Sequence, residues 1–121
     1  MAQIHLIVGS LVVLAYLILV IVNIVRLTGR PMPAVRVISI VAAALLLIQY
    51  ILGFALLGSG HAIPPIHYIV ALLAILTVGA EHGYAGSRGT TRAAQVATFV
   101  ATLATLILVV IAYSIGQANG S

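Results

Sequence analysis

The fold is decided by an apolar run near the start of the chain, which reads IHLIVGSLVVLAYLILVIVNIV over residues 4–25. An α-helix rises about 1.5 Å per residue, so about 20 apolar residues cross the roughly 30 Å of hydrocarbon in a bilayer. Three further runs of this kind occupy about residues 35–57, 66–84 and 93–116. They are continuous rather than alternating, and rich in leucine and alanine, which predicts helices rather than β-strands.

The composition is typical of an integral membrane protein. Hydrophobic residues make up 64% of the 121 positions and charged residues 5%, with a mean hydropathy of +1.32, whereas about one quarter of a soluble domain is charged. Short connections containing glycine or proline separate the runs. We therefore predict an all-α fold, a single domain over residues 1–121 that forms an up-down bundle of four transmembrane helices within the lipid bilayer. The first run lacks a small-residue cleavage site, so we do not interpret it as a removable signal peptide.

The arginines predict the orientation of the bundle. Arg26, Arg30 and Arg36 flank the first connection, and Arg88 and Arg92 flank the third, while the second connection and both termini contain none. By the positive-inside rule the first and third connections are cytoplasmic and both termini lie outside. We expect this topology in a prokaryotic inner or plasma membrane. The arginines form no run, so they predict topology and no nucleic-acid partner.

Small residues recur at three- and four-residue spacing on the fourth helix, which lets another helix approach closely. They are Ala97, Thr98, Ala101, Thr102, Ala104 and Thr105. Packing within the chain is the favoured interpretation, and a contact with another subunit is the alternative.

Three polar residues lie towards the cytoplasmic ends of the first and third helices. Asn23 is predicted to serve packing. Glu81 and His82 lie within reach of Arg88, which favours a local salt bridge at the headgroup level over a proton relay. A metal site is also disfavoured there, because the sequence offers no further ligands on that side.

Two other histidines share one membrane depth. His5 and His67 each lie in the first turn of a helix that enters from the outer face, where the helix dipole favours a neutral imidazole. The first and third helices of an up-down bundle stand diagonally, roughly 14 Å apart if neighbours pack at about 10 Å. One iron ligated by both imidazoles would fill such a gap. Anchoring of each helix end at the interface is the alternative, and no ligand role is assigned to His61 or His82.

The second helix adds residues at the same depth. Gln49 and Gly53 are four residues apart and share one helix face. A glycine at position 53, and Gly9 one turn after His5, would each give a porphyrin room to approach the backbone. Helix packing is the alternative role of both glycines.

The segment Gln49-Tyr-Ile-Leu-Gly53, followed by a short connection and His67-Tyr-Ile-Val-Ala-Leu-Leu, resembles part of the haem A synthase family. In that family each half is a four-helix unit that binds haem, and His5 followed by Gly9 matches the earlier ligand helix. The resemblance covers roughly the first three helices. It implies a haem b held by His5 and His67 as axial metal ligands, with Gly9, Gln49 and Gly53 at the cofactor.

The leading hypothesis is therefore a small b-type cytochrome that transfers electrons within a larger respiratory or photosynthetic membrane complex. The rival hypothesis is a cofactor-free accessory subunit that packs against larger partners. A single glutamate provides little for acid–base catalysis, so a non-catalytic role is favoured over an enzyme. A channel is disfavoured because no stripe of polar residues lines a path.

Overall fold

The computed structural model describes residues 2–60, 62–85 and 91–119. It contains four long helices, and the described residues include no strand. They are α1 (Ala2–Leu27), α2 (Val35–Gly58), α3 (Pro65–Gly79) and α4 (Arg92–Ala118). Each is long and apolar enough to cross a membrane, the third when its continuation to Gly83 is counted. The prediction of four apolar helices is confirmed.

The third helix differs from its prediction as one regular segment over residues 66–84. After Gly79 the chain continues as a π-helical turn, Ala80–Ala85. A π-turn widens the helix locally and is frequent at functional positions. At the other end, Pro65 occupies the first turn of α3, where its missing N–H leaves no helical hydrogen bond unmade.

The helices run antiparallel to their neighbours and define two ends of the bundle. The histidine end contains the starts of α1 and α3 and the ends of α2 and α4. The arginine end contains the opposite termini of these helices, including the end of the π-turn.

Helix α1 supplies most of the buried core. Its buried positions recur at alternating intervals of three and four residues, the spacing that keeps one stripe of a helix against its neighbours. They include His5, Gly9, Val12, Tyr16, Leu19 and Asn23. On the outer surface of the bundle, large apolar side chains are exposed, for example Phe54 of α2 and Leu76 of α3. This is expected of a lipid-facing surface.

Helix α4 packs between α1 and α3. Ala101, Thr102 and Thr105 on its small-residue face are buried within the chain. The hydroxyls of Thr105 and Thr77 lie 2.6 Å apart and join α4 to α3. This half of the small-residue face packs within the chain, as the favoured interpretation predicted, while Ala97, Thr98 and Ala104 are partly exposed.

Helices α2 and α3 are joined by side chains. Near the middle of the membrane span, the Tyr50 hydroxyl donates to the carbonyl oxygen of Ala71. Nearer the arginine end, the Ser39 hydroxyl donates to Glu81. Tyr50 and Ala71 also line the cavity described next.

Candidate functional site

A cavity of about 250 Å³ occupies the histidine end of the bundle and is lined by all four helices. Its walls are predominantly apolar. His5, Gln49, Gly53, His67 and Tyr113 are among the lining residues. An apolar cavity with a few convergent polar groups is the usual form of a cofactor or small-molecule site. The structure thus brings together, around one space, residues that lie far apart in the sequence.

His5 is buried in the first turns of α1, with 7% of its surface exposed. Its Nε2 atom lies 3.4 Å from the side-chain nitrogen of Gln49, near the long limit of a hydrogen bond. Its Nδ1 atom is buried and has no hydrogen-bond partner among the described residues. Most buried polar atoms in proteins are paired, so an unpaired imidazole nitrogen beside a cavity requires an explanation.

Gln49 has the same unusual feature. Its side-chain oxygen is buried and also lacks a hydrogen-bond partner among the residues that the structure describes. The amide nitrogen and oxygen are assigned from surrounding contacts rather than distinguished directly. In either assignment, one polar atom of the Gln49 amide has only a weak contact with His5 and the other has no hydrogen-bond partner among the described residues.

The two predicted glycines have a defined structural role. A methyl group on Gly53 would lie 3.3 Å from Cε1 of His5, and one on Gly9 would lie 2.9 Å from the Gln49 side-chain nitrogen. Both distances are shorter than ordinary van der Waals contact. Gly53 therefore gives room to the His5 ring and Gly9 to the Gln49 amide. Their predicted contact with a porphyrin stays a prediction.

His67 is held more firmly than His5. Its Nδ1 atom lies 2.9 Å from the carbonyl oxygen of Ala112 in α4. Because only a protonated ring nitrogen can donate to a carbonyl, this bond places a proton on Nδ1, and in the neutral ring the lone pair is then on Nε2. The ring also meets Tyr68 edge to face, with centroids 5.8 Å apart. This arrangement, one nitrogen bonded to a backbone carbonyl, is common among metal-ligating histidines.

The sequence reasoning missed a polar chain beside the cavity. The Tyr113 hydroxyl lies 3.0 Å from the Ser10 hydroxyl and accepts a hydrogen bond of 2.9 Å from the Gln117 amide. Tyr113 and Gln117 are four residues apart, a spacing that places them on one helix face and could have indicated the pair. Ser10 could not have been assigned to them without knowing that α1 packs against α4.

At the arginine end, Glu81 is buried between helices, and its predicted salt bridge at the headgroup level stays a prediction. Only 4% of Glu81 is exposed, and it accepts a hydrogen bond from Ser39 of α2. Glu81 lies in the π-turn that continues α3. The predicted partner Arg88 lies outside the described residues, as does His61.

Asn23 is buried nearby, in agreement with a packing role. Its amide nitrogen donates to the Leu19 carbonyl at 3.0 Å and to the Thr102 hydroxyl at 3.4 Å. The bond to Thr102 connects α1 to α4 inside the bundle.

The described residues contain no group of three or more metal-ligating acidic, histidine or cysteine side chains. A site at the histidine end would therefore depend on two protein ligands. Comparison of this chain with protein-family models, curated proteins and solved structures gives no match.

Proposed function

We propose that this chain is a small b-type membrane cytochrome that binds one haem at the histidine end, with His5 and His67 as axial ligands. The observation that carries the proposal is that both histidines line one apolar cavity. They come from helices that flank α4 on opposite sides. When bound, haem b would supply one-electron redox chemistry.

His67 is the better-prepared ligand. The hydrogen bond to Ala112 orients the ring and keeps the Nε2 lone pair available for a metal. Such a bond to the second nitrogen also increases the basicity of a ligating imidazole. The chain therefore holds this side chain in a ligating form without help from the cofactor.

Binding of iron by His5 would affect its weak contact with Gln49. Ligation through Nε2 would replace its 3.4 Å contact with Gln49, whereas ligation through Nδ1 would use the nitrogen that has no partner among the described residues. Gly53 sets how closely the His5 ring can approach α2. The apolar walls would exclude water from the cofactor, which is a protein contribution to redox potential.

The orientation with both termini outside, and residence in a larger respiratory or photosynthetic complex of a prokaryotic membrane, are parts of the same proposal. The arginine asymmetry supports the orientation.

The proposal is tested with His5→Ala and His67→Ala in the purified full chain. Each variant should lose haem or change it from a six-coordinate low-spin to a five-coordinate high-spin form, because one axial ligand is gone. His82→Ala is the matched control and should retain the wild-type spectrum. A haem that survives both single substitutions unchanged would contradict the ligand assignment.

The rival hypothesis, a cofactor-free accessory subunit, gains no support from α4. Ala101, Thr102 and Thr105 of the small-residue face are buried within the chain, in a helix that packs against α1 and α3. The rival remains the interpretation to adopt if the protein purifies folded and without haem from haem-replete cells.

A further inference from the structure

Glu81 is the only acidic residue in the sequence, and it lies inside the bundle near the arginine end. Among the described residues, no arginine forms an ion pair with it. The nearest group that can carry a positive charge is His82, whose Nε2 atom lies 3.6 Å from Glu81 Oε1. Burying an ionised carboxylate without a close cation costs several kcal/mol. The surroundings therefore favour a carboxyl group that binds a proton.

A chain of hydrogen-bonding groups connects this carboxyl with the surface of the bundle. The Ser39 hydroxyl donates to Oε2 of Glu81. The same hydroxyl oxygen lies 3.3 Å from Nε2 of His82. The His82 side chain is 38% exposed, whereas that of Glu81 is 3% exposed. An accessible imidazole is thus linked to a buried carboxyl through one hydroxyl.

The second carboxyl oxygen of Glu81 is also unpaired. Glu81 Oε1 is buried and has no hydrogen-bond partner among the described residues. An ionised carboxylate needs donors at both oxygens, whereas a protonated carboxyl carries no net charge and is less costly to bury.

Four arginines lie at this end among the described residues. Arg26, in the last turn of α1, is half-buried, and its Nε atom has no hydrogen-bond partner among them. Arg30, and Arg36 in the first turn of α2, are exposed. Arg92, at the start of α4, donates to the carbonyl oxygen of Leu27. Ser39 from α2 hydrogen-bonds the Glu81 carboxyl, His82 approaches it, and no arginine forms an ion pair with it among the described residues.

We propose that Glu81 is an intramembrane proton-binding site, loaded from the arginine end through His82 and Ser39. A protonated His82 gives its Nε2 proton to the Ser39 oxygen, while the Ser39 hydroxyl proton passes to Oε2 of Glu81. One proton moves in total. His82 becomes neutral, Ser39 is unchanged, and the carboxylate becomes a carboxylic acid. The site does not depend on haem binding at the other end.

Infrared spectroscopy of the full chain in lipid nanodiscs tests this proposal. Glu81 and the chain's terminal carboxyl are the only carboxyl groups in the sequence, so a difference spectrum against Glu81→Gln isolates the Glu81 band. We expect a protonated carboxyl band at neutral pH that shifts in D₂O. Circular dichroism establishes that the isosteric variant is folded.

The path is tested by the rate at which this band shifts after transfer to D₂O. Ser39→Ala and His82→Ala should each retain the band but slow its exchange by about a hundredfold, the lower end of the contribution from a positioned proton-transfer group. Ser114→Ala is the matched control, because Ser114 is exposed and bonds to Val110 of its own helix. An ionised Glu81 at neutral pH would overturn the site. Exchange at the wild-type rate in both variants would overturn the path.

Discussion

The Nδ1 atom of His67 lies 2.9 Å from the carbonyl oxygen of Ala112, so α4 determines which imidazole nitrogen of α3 carries the proton. No sequence pattern predicts this bond, because the acceptor is a backbone atom and any residue at position 112 would provide it. It is nevertheless the contact that prepares His67 as a ligand.

The first prediction concerns the tautomer of His67. In the haem-free chain, neutral His67 should carry its proton on Nδ1, because that atom donates to Ala112. Nitrogen-15 NMR of histidine-labelled protein distinguishes the two tautomers directly, and His67→Ala assigns the signal. A neutral ring protonated on Nε2 would mean that the bond to Ala112 is not formed.

Gly53→Ala should disturb the haem site with little effect on the fold. The added methyl group would lie 3.3 Å from Cε1 of His5, so the ring must move by a few tenths of an ångström. Alanine also favours the helix by about 0.5–1 kcal/mol relative to glycine, which offsets strain. We expect lower haem retention after purification and a change in stability of no more than about 1 kcal/mol.

Gly58→Ala is the matched control in the same helix, because nothing lies within 4 Å of the added methyl group. It should leave haem retention at the wild-type level. Equal haem loss in both variants would show that Gly53 has no specific role at His5.

The α4 packing prediction uses Ala101→Leu. Ala101 is 8% exposed and lies on the face that packs within the chain, so the larger side chain should destabilise the protein by about 1–3 kcal/mol through overpacking. Denaturant titration in mixed micelles measures this loss. Ala93→Leu, at an exposed position of the same helix, is the control and should be nearly neutral. A folded, stable Ala101→Leu protein would contradict the buried assignment.

The predicted orientation can be tested with single introduced cysteines, because the sequence contains no native cysteine. Single cysteines at Ser59 and Asn119 should react with a membrane-impermeant reagent from outside the cell, and one at Thr28 should not. Thr28 is preferable to Gly29, whose φ of +98° disfavours any side chain. Labelling of Ser59 and Thr28 from the same side would refute the four-span arrangement.

Much of the fold was predictable, because membrane spans are set by the length and continuity of apolar runs. The four helices follow from that rule, as does the pairing of His5 with His67 around one cavity, since both begin helices at the same end. The antiparallel order follows from connections too short to cross the bilayer.

The contacts that define the sites were less predictable. The approach of His5 to Gly53 depends on how α1 and α2 rotate about their axes, which the nearly uniform hydrophobicity of these helices does not specify. Glu81 lies in a π-turn, whose hydrogen-bond pattern a regular helix prediction does not include. Its hydrogen bond with Ser39 then joins two helices whose backbones make little contact.

The central claim is most directly tested by the visible absorption spectrum of the wild-type chain, purified from haem-replete cells, in its oxidised and reduced forms. Ligation by His5 and His67 predicts a low-spin, six-coordinate b-type spectrum with about one haem per chain. A folded, colourless protein that also fails to take up added haem would contradict the claim.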